Sequence, residues 1–210
     1  MASDAAPRPQ ILTLPVGLLE ANCYLVWNEL TLELLLLDPG DEPDRIIQAV
    51  TDRGLQPRAI LLTHAHVDHL RAVPDLARRW SIPAWVAPAD RQMYHSPQNA
   101  LPPWVSAANN LPEPQDVPTE LPGLAFRVLP TPGHSPGGVC YHFPAAGIVF
   151  TGDTLFQDGI GRTDLPGGDS AALLSSIRQQ LLPLPPTTVI YPGHGTASTI
   201  AEEAAHNPYL

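Results

Sequence analysis

The sequence predicts a mixed α/β (α+β) domain built as a four-layer αββα sandwich, and three observations carry that expectation. Short apolar runs punctuated by Gly, Pro and Asp read as strands, and amphipathic stretches between them read as helices. In each half the strands come first and a helix later. That order places helices outside two packed sheets and lets strand ends meet along one edge. A chain of 210 residues with 44% hydrophobic content fits one sizeable domain, taken as 1–210.

Taken in order, 10–16, 21–28 and 32–37 read as strands joined by short turns, the third ending at Asp38-Pro39-Gly40. Residues 41–53 read as a helix with Ile46, Ile47 and Val50 on one side and Gly54 as its stop. A strand over 58–63 follows, closed by Thr63, then a helix over 70–80 and a short strand at 84–87. The proline-rich segment 96–122 has little periodicity and reads as an irregular surface excursion, of the kind that shapes access to a site. Strands resume at 124–129, 139–143 and 148–151, before a helix over 170–182, a strand at 188–191 and a last helix over 199–206. No sequence repeat is visible, so the two halves rest on element order alone.

Composition restricts the partners. A formal net charge of -10 disfavours nucleic-acid backbones and anionic membranes, which leaves a small molecule as the expected partner. All eleven basic residues are arginine, so Schiff-base chemistry is excluded and any acid must be recognised by arginine, backbone or metal. Cys23 and Cys140 share no metal-binding spacing and are expected as buried free thiols. The first ten residues lack the apolar core of a signal peptide, and no stretch approaches eighteen apolar residues. A cytoplasmic protein is expected; the oligomeric state is not legible.

The densest chemical signal is Thr63-His64-Ala65-His66-Val67-Asp68-His69, three imidazoles and a carboxylate at the end of a strand. His64 and His66, two apart in an extended segment, point the same way, while Asp68 and His69 fall one turn later. So many ligands exceed the needs of one tetrahedral ion, and two adjacent ions are the simpler reading. Further candidates stand at later strand ends: His134 in Thr131-Pro132-Gly133-His134, Asp153 after Thr151-Gly152, and His194 in Pro192-Gly193-His194-Gly195. The glycines allow close backbone approach beside an ion.

These residues resemble the metallo-β-lactamase superfamily, in which a THxHxDH motif, a PGH turn, a TGD turn and a GHG turn build a dimetal site. The resemblance implies an αββα fold. It also implies that His64, His66 and His134 hold one metal, Asp68, His69 and His194 the other, and Asp153 bridges them. Two divalent ions follow, zinc foremost, with iron and manganese compatible with the same ligands.

A finer similarity is to glyoxalase II (hydroxyacylglutathione hydrolase) and its short bacterial relatives. It is carried by Gly161-Arg162-Thr163-Asp164 with Pro166-Gly167-Gly168, and by the ending from Gly193-His194-Gly195 to His206-Asn207-Pro208. It implies hydrolysis of a thioester such as a glutathione thioester, with Asp68 and Asp153 as catalytic residues and Asp68 orienting the nucleophile. Typical members append a helical domain whose basic residues bind glutathione, whereas the 16 residues after His194 contain no Lys or Arg.

Three residues carry open alternatives. Arg162 is either a substrate-binding residue or half of a buried pair with Asp164. Arg71, where the superfamily usually has glycine, lies near the site mouth or on a solvated helix face. Asp38 is either the partner of a ligand histidine or a turn initiator. Persulfide dioxygenases share the GRTD turn and use one iron; on this chain its ligands would be His64 or its neighbours, His134 and Asp153. A lactonase or other ester hydrolase, and a binding protein with a vestigial site, complete the alternatives.

Overall fold

The computed structural model describes residues 9–115 and 124–210. The first eight residues, and the part of the expected surface excursion that falls in 116–122, lie outside the described residues. One five-stranded sheet is formed by β1 (Gln10–Val16), β2 (Ala21–Trp27), β3 (Glu33–Leu37), β4 (Gln56–Leu61) and β5 (Ala84–Trp85), in that order. A second has the order β12 (Ser198–Thr199), β11 (Val189–Pro192), β8 (Ile148–Gly152), β7 (Val139–Phe143), β6 (Arg127–Pro130). A small hairpin of β9 (Leu155–Phe156) and β10 (Gly159–Ile160) stands apart.

The two large sheets repeat one topology. In each, three consecutive strands run antiparallel and the third pairs in parallel with a fourth, β3 with β4 and β8 with β11. The chain between those parallel partners contains a helix, α1 (Pro43–Asp52) in the first half and α5 (Ser170–Ser176) in the second. Only the fifth strand differs, β5 being parallel to β4 and β12 antiparallel to β11.

The period-2 alternation of strands divides the interior into three apolar layers. Cys23, Leu25, Leu34, Leu36 and Ile60 share one cluster with Ile46 and Val50 of α1 and with Val73 and Leu76 of α3 (Val73–Trp80). Their strand neighbours Tyr24, Val26, Leu35, Leu37 and Leu61 meet Tyr141, Phe143, Ile148 and Phe150 between the sheets. Cys140, Val149 and Ile190 face Leu173, Ile177 and Ile200, beneath α5 and α6 (Ile200–His206). Leu34 to Leu37 are all fully buried, because β3 is covered on both faces; hence its unbroken apolar run. Each such leucine contributes roughly 1.5–3 kcal/mol of burial. The expected four layers are therefore present, and both cysteines are buried and free.

Several boundaries differ from expectation for local reasons. The strand expected at 58–63 ends at Leu61, because the Thr63 amide leaves the ladder and donates to the Asp38 carboxylate. The helix expected over 70–80 is two helices, α2 (Val67–Leu70) and α3, so His69 lies inside a helix. Pro74 forces the restart: it has no N–H to donate to the preceding turn, and its ring clashes with that turn's carbonyl. The strand expected at 124–129 begins only at Arg127. The expected helix over 170–182 has the right extent, but its second half, Ile177–Leu181, is a π-helical turn. Short α4 (Arg91–Tyr94) lies just before the excursion. No helix among the described residues is long and apolar enough to cross a membrane.

Parallel pairing aligns strand ends, and that is what positions the site. Asp38 follows β3, His64 and His66 follow β4, Asp153 follows β8 and His194 follows β11. Side chains at the carboxyl ends of parallel strands converge on one crevice, a recurrent place for ligands in α/β proteins.

Candidate metal centre

All seven expected residues are brought together. The ligand-type atoms of His64, His66 and His134 lie within 4.8 Å of one another, as do those of Asp68, His69 and His194, and those of His64, His69 and Asp153. The Asp153 carboxylate joins the groups: Oδ1 is 3.3 Å from His69 Nε2, and Oδ2 is 3.6 Å from His134 Nε2 and 3.7 Å from His194 Nε2. Asp68 Oδ2 lies 3.3 Å from His194 Nε2 and 3.7 Å from His69 Nε2.

Hydrogen bonds on the far side of four rings fix which nitrogen faces inward. Asp38 accepts from the Thr63 hydroxyl at 2.6 Å and stands 3.1 Å from His69 Nδ1. A carboxylate only accepts, so Nδ1 of His69 carries a proton and Nε2 is the nitrogen turned to the centre. Having given its own hydrogen to Asp38, the Thr63 oxygen accepts from His64 Nδ1, 3.0 Å away, with the same result. Backbone carbonyls complete the set: Arg162 O accepts from His134 Nδ1 at 2.7 Å and Leu19 O from His194 Nδ1 at 3.0 Å. His66 alone turns Nδ1 inward, 2.9 Å from His134 Nε2.

This is the environment a cation requires. Six buried polar side-chain atoms among the described residues have no hydrogen-bond partner, and five of them, His64 Nε2, His66 Nε2, Asp68 Oδ1, His69 Nε2 and Asp153 Oδ1, belong to these seven residues, the sixth being Arg91 Nε. Among buried groups elsewhere such orphans are rare. The donor set of imidazoles and carboxylates suits zinc, iron or manganese.

The charges divide in two. Burial, with the neighbouring imidazoles His69 and His134, holds His64 well below the usual imidazole range, and burial beside His134 lowers His66 to about 3. Both are neutral and ready to ligate. For His69 burial acts downward, but Asp68, Asp153 and the bond to Asp38 overcome it and hold the ring well above its ordinary value. His194 is raised against burial by its bond to Asp68 and the charge of Asp153. The Asp153 carboxyl, despite burial, is held well below the usual range by His69, His134 and His194. A cation must therefore displace protons from His69 and His194. Proton release on metal uptake is expected at neutral pH and below, and is expected to vanish as pH rises through the raised values of those two rings. Calorimetry in buffers of different ionisation enthalpy checks it; equal apparent enthalpies in all buffers at pH 7 would contradict the assignment.

Close backbone approach is needed where the turns meet. A Cβ at Gly193 would collide with Asp153 Oδ1 and stand 2.9 Å from His69 Cε1. The same turn is pinned to β2, whose Asn22 side chain donates to Pro192 O and Gly195 O at 3.0 and 2.9 Å.

Asp38 resolves toward partnership with a ligand histidine. It sits at φ 49°, buried, with both carboxylate oxygens directed to Thr63 and His69. Sequence reading missed Asp90. Fully buried, it accepts from the Ala65 amide (3.1 Å), the Ser135 hydroxyl (2.7 Å) and the Gly137 amide (2.5 Å), and so ties the turn of His64 and His66 to the turn of His134. A lone Asp after Pro-Ala carries no signal of such a role. The pair of Arg162 and Asp164 exists, at 2.7 and 2.6 Å, but its side chains are 46% and 67% exposed rather than buried. A pair so exposed is screened by solvent and adds little to stability. What Arg162 supplies to the centre is its carbonyl.

A cavity of about 460 Å³ opens over the centre. Its lining includes His66, Asp68, His134, Asp153 and His194, and the rest is mostly apolar, with Phe156, Ile160 and Leu165 joined by Leu101 and Trp104 from the excursion. The Arg162 side chain also lines it. The described part of the excursion thus shapes access, as expected.

A four-layer sandwich with clustered histidines and aspartates at its strand ends, able to hold metal beneath an apolar cavity, defines a class of metal-dependent enzymes. The family profile of the metallo-beta-lactamase superfamily matches residues 16–194, and the chain belongs to that superfamily. The hydroxyacylglutathione hydrolase GloC of Haemophilus influenzae is 37% identical, over 94% of this chain and 96% of its own. Among solved structures, BLEG-1 B3 metallo-beta-lactamase superposes with a TM-score of 0.86 at 37% identity, covering 96% of this chain and 99% of its own. The di-iron-bound form of TTHA1623 gives 0.84 at 41%, with 95% and 100% covered. ETHE1 from Myxococcus xanthus gives 0.75 at 32%, with 95% and 83% covered.

Proposed function

We propose that the chain is a dimetal hydrolase acting on a thioester, of the hydroxyacylglutathione hydrolase kind. The observation that carries this reading is the second triplet, Asp68, His69 and His194, gathered as tightly as the first and joined to it through Asp153. Such a triplet would give a second ion ligands of its own. In this reading His64, His66 and His134 hold one divalent ion, Asp68, His69 and His194 the second, and Asp153 lies between. Bound metal would supply a water whose pKa is lowered to roughly 7 and a Lewis acid for the carbonyl.

The chain's own groups do the rest. Asp68, with Oδ1 unpartnered and Oδ2 beside His194, is placed to accept a proton and to orient a water molecule. The apolar walls keep bulk water from the reacting carbonyl, and the volume is in the range of about 300–1,000 Å³ usual for small-molecule sites. No Ser or Cys nucleophile is required. A thiolate with a pKa of roughly 8.5 leaves without a strong general acid, so a thioester asks for none from this centre.

Similarity to ETHE1 supports a second reading, a persulfide dioxygenase with one iron. Metal analysis with activity assays separates the two. About two metal ions per chain, with hydrolysis of S-lactoylglutathione that is lost on chelation and restored by metal, is the expected result. One iron per chain with oxygen uptake on glutathione persulfide would replace the hydrolase reading, and a hydrolysis rate equal to that of metal-stripped protein would end it.

A further inference from the structure

A second, smaller groove runs beside the main cavity and shares Leu19, Asp68 and Trp104 with it. Its distinctive member is Arg71. Arg71 directly follows α2, in helical conformation, three residues after Asp68. Side chains three apart on a helix are neighbours on one face, so the guanidinium is carried one turn from the carboxylate at the centre.

Two arginines line these cavities, Arg162 and Arg71, and they differ in what occupies them. Both oxygens of Asp164 already fill the fork of Arg162. Among the described residues Arg71 makes no hydrogen bond through its side chain; the carboxylate oxygen it pairs with, Asp41 Oδ2, is 3.9 Å away, and the other oxygen of Asp41 accepts from the Glu42 amide. Such a long, half-exposed pair is readily exchanged for a bidentate one. Two of the four large apolar side chains exposed among the described residues, Leu18 and Trp104, flank this groove. They offer apolar cover for whatever lies between Asp68 and Arg71.

We propose that this groove is a second arm of the substrate site, in which Arg71 takes a carboxylate that the substrate carries away from its reacting carbonyl. The inference rests on the hydrolase reading and narrows its substrate to an acidic thioester, selected by a local cation on a chain of net charge -10. A planar guanidinium matches a carboxylate in two hydrogen bonds, which a neutral amide in the same place does not reproduce.

The test uses matched thioesters that differ in one charge: S-lactoyl-3-mercaptopropionate against its N-methylamide, and a succinyl thioester against its succinamoyl counterpart. With intact metal-loaded protein, the preference in kcat/KM for the charged member of one pair is expected to fall about tenfold in Arg71→Gln. An unchanged preference in both pairs overturns the proposal, and so does loss of the preference in Arg162→Gln with Arg71→Gln retaining it. Calorimetric binding of the same compounds keeps the two readings apart. Tenfold weaker binding of the charged member to Arg71→Gln, with no turnover of any thioester by wild type, upholds the groove and defeats the hydrolase reading. Equal binding by variant and wild type overturns the groove whatever the turnover.

Discussion

Replacing Asp153 with Asn is expected to lower the metal content from about two ions per chain to one or fewer and to reduce kcat about 10³-fold or more. Asparagine preserves the shape but removes the negative charge that faces His69, His134 and His194 at 3.3 to 3.7 Å. It also puts an amide N–H₂ where a lone pair is required. No other carboxylate among the described residues stands within 4 Å of imidazole nitrogens of both triplets, so nothing described nearby substitutes. A second consequence follows in protein stripped of metal. The raised values of His69 and His194 depend in part on Asp153, so both rings are expected to lose protons at lower pH in the variant. Metal analysis, steady-state kinetics and NMR titration of the imidazoles provide the check. A variant that keeps two ions and a rate within tenfold of wild type would remove Asp153 from the centre.

Asp38→Ala is expected to lower both stability and metal affinity, although Asp38 is not among the groups assigned to the metal. Its carboxylate accepts from the Thr63 amide, the Thr63 hydroxyl and His69 Nδ1, all buried. Each donor left without a partner costs about 1–3 kcal/mol, and the sum is expected to lower Tm by roughly 10 °C. Loss of the group that orients a ligand imidazole weakens metal binding about 10- to 100-fold. Asp38→Asn separates the two effects. Its oxygen still accepts, but its amide nitrogen donates, which favours the His69 tautomer with the proton on Nε2, the atom that faces the centre. Thermal melts with and without chelator, together with metal titration, are expected to show most of the affinity loss but less of the stability loss in Asn. Equal metal affinity in all three proteins would contradict this account.

Much of the site was legible because its chemistry restricts residue type. His64, His134 and His194 stand beside Thr or Gly at strand ends, and His66 and His69 follow His64 within five residues, a combination with few other uses. The strands were legible for a similar reason, since Leu34 to Leu37, buried on both faces, leave an apolar run that nothing else requires. Parts that depend on distant chain were not. Asp90 acquires its role only when the turns at Ala65 and Gly137 fold against it, 25 and 47 residues away. The split between α2 and α3 depends on Pro74 and on the bond from the Ala72 amide to Pro39 O, one local and readable, the other not. The hairpin of β9 and β10 has two residues per strand, too few to show alternation. Arg162 shows the limit most clearly: its charge drew attention in the sequence, whereas its carbonyl, invisible there, holds His134.

The repeated topology of the two sheets gives the centre a mechanical meaning. Each triplet draws on both halves of the chain, His64 and His66 with His134, Asp68 and His69 with His194. A cation in either place would fasten the first half to the second, closing a loop of about 70 residues in one case and about 125 in the other. Ligand binding that requires the folded arrangement adds RT ln(1 + [L]/Kd) to stability, about 4 kcal/mol at a thousandfold excess over Kd. The crevice would then act as a clasp: metal supply sets how firmly the two halves stay docked, and chelation loosens the seam between the sheets before it disturbs either sheet.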